Sequence, residues 1–372
     1  MPDGTHAGCL ALQLLRTTLL AVLAAAATGC STLGYYWQAA RGELSLLAAA
    51  RPIPDWLADP TTPPSLKERL ALAQRIRAFA SHDLGLPDNR SYTRYTDLKR
   101  TSAVWNVFAT PELSLELKTW CYPIFGCAQY RGYFAQADAE ALARHLAAEG
   151  DDVEVGAIPA FSTLGWFSDP LLSTFIDWPE PELAGLIFHE LAHQTVYVSD
   201  DTVFNESYAT AVEHEGLRRW IAVRGDPSLG DAYRNDDTRR AEFQSLLLQA
   251  RARLKAVYDE RGSSTDAEVR ARKAAVLADL SQRYQALRNG AWGGYARYDR
   301  YFARPINNAR LAAVGAYYDD VPAFEALLAR QHGDLPRFYA AVRALAKTPK
   351  AERDEALRAL APLPEAARQP VP

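Results

Sequence analysis

His189-Glu190-Leu191-Ala192-His193 is the stretch on which the reading of this chain turns. Residues four apart lie on one face of a helix, so the imidazoles of His189 and His193 can reach one ion. Glu190, about 100° round the helix, can point to a water on that ion. The spacing of Leu183, Leu186, Ile187 and Leu191 behind prolines predicts a helix over 181–197. With seven histidines in 372 residues, the competing reading is a chance match: helix charge beside two satisfied histidines. A third ligand has to decide between them.

Working downstream, Ser199-Asp200-Asp201 is an acidic turn, and a second helix is predicted over 205–223, closed by Gly225. Twelve residues after His193 it opens Asn205-Glu206-Ser207-Tyr208-Ala209-Thr210-Ala211-Val212-Glu213. This resembles the Asn-Glu-Gly-Phe-Ala-x-x-x-Glu helix of the gluzincin metallopeptidases, best known from the aminopeptidase N family, in which the Glu after Asn is the third zinc ligand. The resemblance implies Glu206 as that ligand, Glu190 as the catalytic base and one Zn2+ per chain held by His189, His193 and Glu206. Three protein ligands and one open position make a catalytic zinc arrangement. The connecting segment is shorter than in the aminopeptidase N family. The family's Gly-Ala-Met-Glu-Asn strand has only an acid-free echo in Gly156-Ala157-Ile158-Pro159-Ala160. Over its whole length the chain resembles the uncharacterised predicted aminopeptidases of Gram-negative bacteria.

Glu213 lies two turns beyond Glu206 on the same face, where it either accepts a hydrogen bond from a ligand imidazole or is a solvated surface acid. His214 is directed elsewhere by its position beside Glu213. Zincins usually add a Tyr or His that donates to the oxyanion. Among Tyr295, Tyr298, Tyr301, Tyr317 and Tyr318, each also a core candidate, Tyr317 is taken for that role.

Upstream, Arg16 precedes an uncharged stretch from Thr17 to Thr28, too short to span a bilayer but suited to a secretory signal. Ala27-Thr28-Gly29 before Cys30 resembles a bacterial lipobox, which implies acylation of Cys30; a plain signal peptide is the alternative. Ser31 after the cysteine, as in other lipoproteins, implies the outer rather than the inner membrane, with the protein facing the periplasm and the lipid its only membrane contact. Of four cysteines, Cys9 falls in the signal. Cys121 and Cys127 remain, as a disulfide in an oxidising compartment or as two buried thiols.

Hydrophobic residues make up 48% and charged residues 23% of the chain, which excludes wholesale disorder and a polytopic membrane protein. The net charge of −4 with scattered Lys and Arg gives no footprint for nucleic acid. Short aromatic and β-branched runs between 91 and 135 and over 153–161 read as a small mixed sheet, with helices over 67–80 and 136–149. Phe243, Leu247, Ala250, Leu254 and Val257, answered by Val269, Val276, Leu280 and Leu287, make the seam of a long αα-hairpin.

The expected architecture is therefore α+β and mainly helical, a zincin-like domain with an inserted hairpin. Its segments are a signal (1–29), a lipidated tether (30–64), a catalytic region (65–235), the hairpin (236–290), a C-terminal helical part (291–347) and a peripheral tail (348–372). The expected activity is peptide hydrolysis, as an aminopeptidase or alternatively an endopeptidase. The rival from another class is a zinc-pinned, non-enzymatic scaffold whose hairpin binds an envelope protein.

Overall fold

The computed structural model describes residues 34–39, 41–122, 126–160, 163 and 165–360, without the side chains of 316–318. The signal 1–29 and Cys30 lie outside the described residues. Two units separate at Ala49. In the first, residues 34–39 and 41–48 are helical.

The second unit takes in the end of the expected tether. Strand β1 (Arg51–Pro52) pairs antiparallel with β2 (Arg94–Thr96), and fully buried Ile53 opens helix α1 (Ile53–Ala58). Pro52 and Pro54, and again Pro63 and Pro64, stand at helix starts rather than in a spacer, because their fixed φ suits the first turn and their missing N–H is not needed there. Pro64 likewise begins α2 (Pro64–His82), the helix expected over 67–80, which buries Leu70, Ala73, Ile76 and Phe79.

The single mixed sheet expected between 91 and 161 is instead three separate pieces. Strand β3 (Val104–Pro111), buried along all but its last residue, is flanked antiparallel by β6 (Arg131–Tyr133) and β7 (Asp151–Ile158). β4 (Trp120–Tyr122) and β5 (Gly126–Ala128) form a hairpin of their own. The mixed pattern survives only where β2 pairs parallel with β8 (Leu171–Leu172). Helix α3 (Gln136–Ala148) lies against β3 and β7. The sequence could not separate these sheets, because strand propensity marks extended backbone but not its partner.

Helix α4 (Glu180–His193) and helix α5 (Thr202–Arg224) pack against each other. α4 stops four residues short of the predicted end. Thr195 Oγ1 donates to the Ala192 carbonyl at 2.8 Å, and β-branched Thr195, Val196 and Val198 disfavour continuation. α5 starts early because the Asp201 carboxylate caps it, accepting from the Phe204 N–H.

Helices α6 (Pro227–Asp259) and α7 (Asp266–Asn289) run antiparallel, with Gln249 accepting from Arg283 and Phe243, Leu247, Leu254, Val276, Leu280 and Tyr284 buried in one cluster. α6 begins before 236, directly after the Gly225 that ends α5, because Asp226 caps it through the Ser228 and Leu229 N–H groups. The short α8 (Asp299–Phe302) follows, then α9 (Asn308–Tyr318), which packs on α5, α6, β3 and β7. After α10 (Val321–Arg330) and α11 (Leu335–Leu345), α12 (Lys350–Leu360) docks on α10. The segment from 350 to 360 is thus not peripheral: Arg353 and Leu357 are buried, and Arg353 pairs with Asp201.

Candidate metal centre

On α4 the buried face, which includes Leu183, Ile187, Phe188, Leu191 and Ala192, fixes the helix against its neighbours and turns His189 and His193 toward α5. Glu206 lies one turn into α5 and faces them. Its Oε2 is 3.3 Å from His189 Nε2 and 3.7 Å from His193 Nε2. One ligand atom from each of the three residues fits within a 4.8 Å sphere of mutual separation. The two imidazoles stand edge to face with centroids 4.9 Å apart, so their Nε2 atoms converge without the rings clashing.

Behind His189, its Nδ1 meets Glu213 Oε2 at 3.2 Å. Of the two readings of Glu213, the structure gives the imidazole partner. A hydrogen bond on Nδ1 fixes the tautomer and leaves Nε2 its lone pair for a ligand. The close approach depends on Gly185: a Cβ there would lie 3.1 Å from Glu213 Oε1. Arg240 on α6 reaches the other oxygen of Glu213 at 3.8 Å.

The electrostatics suit a cation. Burial would push the Glu206 carboxyl up, yet the His193 and His189 charges hold it well below the usual carboxylate range. Burial would lower the His189 imidazole, yet the hydrogen bonds and charges of Glu206 and Glu213 drive it well above its ordinary value. Glu206 has no Lys or Arg partner among the described residues, and the groups facing its carboxylate are the two imidazoles. Two imidazole nitrogens and a carboxylate oxygen in a buried, anion-rich setting form a donor set that fits a divalent zinc ion. Glu190, raised above the ordinary carboxylate value by burial and by the Glu206 and Asp169 charges, lies on the same helix as both histidines.

The turn between the two helices is held from outside. Asp200, at φ +66°, accepts from the Cys127 N–H, and Gly126 is required there because a Cβ would come within 2.6 Å of Asp200 Oδ1. Cys121 and Cys127, paired across β4 and β5, are joined by a disulfide that ties this hairpin at the point of contact. His214 turns away to Glu325 at 2.8 Å. Tyr317 belongs to α9, but its side chain lies outside the described residues.

Tyr92, two residues before β2, is a structural outlier that the motif reading did not single out. It is buried, has φ +63° and carries a hydroxyl without a hydrogen-bond partner among the described residues. The only trace in the sequence was an aromatic residue in a short β-rich run, which reads as core.

The chain belongs to the family described as "Putative aminopeptidase", whose model matches residues 34–357. No curated protein and no solved structure matches the chain.

Proposed function

We propose that the protein is a zinc-dependent aminopeptidase of the gluzincin type, acting on peptides at the bacterial envelope. The observation that carries this reading is the convergence of His189, His193 and Glu206 within 4.8 Å on two packed helices, with Glu190 beside them. His189 and His193 through Nε2, and Glu206 through its carboxylate, would hold the ion. Zinc, when bound, supplies Lewis acidity toward a water and a peptide carbonyl. Glu190 takes the proton of the attacking water on its carboxylate and passes it to the departing amine nitrogen. Burial raises its proton affinity above that of an ordinary carboxylate, which suits a group that must both accept and return a proton. Glu213 keeps His189 in one tautomer, and Arg240 holds Glu213 in place.

Amine-end specificity is supported by the family to which the chain belongs. Envelope location rests on the sequence alone: the uncharged signal stretch and the Ala27-Thr28-Gly29-Cys30 lipobox, with Ser31 favouring the outer membrane. No helix among the described residues is long and apolar enough to cross a membrane. Glu190 weighs against the scaffold reading, because a structural zinc has no use for a base beside it.

The test is mass spectrometry of one peptide mixture, free and N-acetylated, incubated with wild type and with Glu190→Gln at equal zinc occupancy. Stepwise loss from free amines by wild type alone is the expected result. Internal cleavage of acetylated peptides would make it an endopeptidase, and equal products from Glu190→Gln would leave the scaffold.

A further inference from the structure

Three aromatic side chains left in solvent lie at one place in the fold. Among the described residues of the second unit, the large apolar side chains that stay well exposed are Trp166 (73%), Phe167 (50%), Tyr197 (46%) and Val223. Val223 sits near the far end of α5. The three aromatics instead stand where α4 ends and α5 begins, the junction that carries His193 and Glu206.

Gly165, at φ +82°, rests on the Gln194 side chain so closely that a Cβ there would meet it at 3.5–3.7 Å. Gln194 directly follows His193 and is one helical turn beyond Glu190, hence on the same face of α4. Trp166 and Phe167 come next in the chain, and their turn is rigidly held. The Trp166 N–H donates to the Thr163 carbonyl at 3.0 Å, and the Phe167 N–H donates to Thr163 Oγ1 at 3.1 Å. That hydroxyl in turn donates to the buried Asp169 carboxylate at 2.7 Å. The Asp169 carbonyl accepts from the Tyr92 N–H at 2.6 Å, and Ser91 Oγ accepts from Gln194 Nε2 at 3.2 Å, so both ends of the turn lead back to Gln194. Across the junction, Tyr197 precedes Val198, whose N–H and carbonyl both bond the Asn205 side chain at 2.8 Å. Asn205 is the residue before Glu206.

Aromatic surface kept in water on ordered backbone marks a place where something binds. We propose that Trp166, Phe167 and Tyr197 form an apolar rim on the proposed zinc site that receives a large apolar side chain at the amine end of the substrate. The substrates are then peptides that begin with a residue such as Leu or Phe rather than Ala or Asp. Flat, stiff aromatic faces bury much apolar area at little cost in side-chain freedom. An acidic side chain would gain nothing from them and would meet the Glu190 and Glu206 carboxylates. A membrane or protein contact would need no seat on the metal helix, whereas a peptide held between His189, His193 and Glu206 has to pass this junction.

The inference rests on the peptidase reading above, and one set of tripeptides separates the two. Leu-Gly-Gly, Phe-Gly-Gly, Ala-Gly-Gly and Asp-Gly-Gly are followed by mass spectrometry with wild type, Glu190→Gln and Trp166→Ala/Phe167→Ala at equal zinc occupancy. Wild type should favour Leu and Phe over Ala by roughly 10- to 200-fold in kcat/KM, the range that apolar contacts supply. In Trp166→Ala/Phe167→Ala that ratio should fall to about threefold or less, mainly through KM, because the contact is made equally in the ground and transition states. The thermal midpoint should match wild type, since the side chains removed are exposed. Leu-Gly-Gly added to Glu190→Gln should shift tryptophan emission to the blue as Trp166 is covered, and Trp166→Phe in that background should abolish the shift. A wild-type ratio near one, or a ratio that survives in Trp166→Ala/Phe167→Ala, overturns the rim, while cleavage that depends on Glu190 leaves the peptidase reading standing. A lowered thermal midpoint would make these side chains structural and also overturns it. Loss of binding to phosphatidylethanolamine/phosphatidylglycerol vesicles in Trp166→Ala/Phe167→Ala, with the ratio unchanged, would give the aromatics to a membrane surface instead. Equal products from Glu190→Gln and wild type remove the peptidase reading, and this proposal with it.

Discussion

In the proposed zinc site Glu213 would act through His189 rather than on the ion itself. Its oxygen on His189 Nδ1 fixes which nitrogen of the ring faces Glu206 and His193. Glu213→Gln should therefore keep the fold and weaken zinc binding by roughly 10- to 100-fold, the usual cost of losing such a partner. Competition against a chromogenic chelator measures it, and affinity equal to wild type would return Glu213 to the role of a surface acid. His193→Ala, which removes one of the three proposed ligands, should lose zinc in elemental analysis. Full zinc content in that variant would refute the ligand set. At this scale the motif was readable: the four-residue spacing of the histidines and the seven-residue spacing of Glu206 and Glu213 are helical arithmetic. The anchoring of Ser91 by Arg77 and Gln194 was not readable, since those hydrogen bonds join residues 14 and 103 positions apart.

Among the elements, the start of α5 is held by a segment that composition made look dispensable. Asp201 caps α5 and accepts from Arg353 through Nε at 3.0 Å and Nη2 at 2.6 Å, both side chains being at most 4% exposed. Removing one partner of a buried pair strands the other charge. Arg353→Ala should therefore cost about 3–5 kcal/mol in chemical denaturation. A loss below 1 kcal/mol would show that water replaces the guanidinium.

Nearby, Asp320 sits at the start of α10, its carboxyl raised from 3.8 to about 6 by burial and by Asp319, Asp354 and Asp201, with Lys350 opposing. The folded state binds this proton more tightly than the unfolded chain does. The contribution to stability is thus full below about pH 4 and lost as pH rises through about 6. Asp320→Asn should raise the thermal midpoint at pH 7.5, and the gain should shrink below pH 6 and vanish near pH 4. A gain that does not vary with pH would count against the titration. Neither effect follows from the sequence, because Asp201, Asp319, Asp320 and Asp354 meet only after α5, α10 and α12 have packed.

For the whole molecule, the proposed address and the proposed chemistry are separable. Cys30→Ser should release the protein from membranes while leaving zinc content and turnover unchanged, because the lipid is the only membrane-binding feature proposed. Fractionation with a fatty-acid probe checks this, and continued labelling would remove the lipobox.

The sequence by itself determined what local periodicity encodes. That covers the mainly helical class, the two site helices to within a few residues, the seam of α6 and α7, and the residue types His, His, Glu and Glu at helical spacings. Tertiary structure alone decided what depends on contacts between distant segments. The strands became three sheets because partner choice is non-local, and 50–64 and 350–360 joined the folded body because Ile53, Leu357 and Arg353 found burial there. The end of α6 nearest α5 came to the back of the site because Arg240 could reach Glu213. A helix is written in hydrogen bonds four residues apart, whereas a site is written in pairs such as His189 with Glu213 and Asp201 with Arg353, which have no common period.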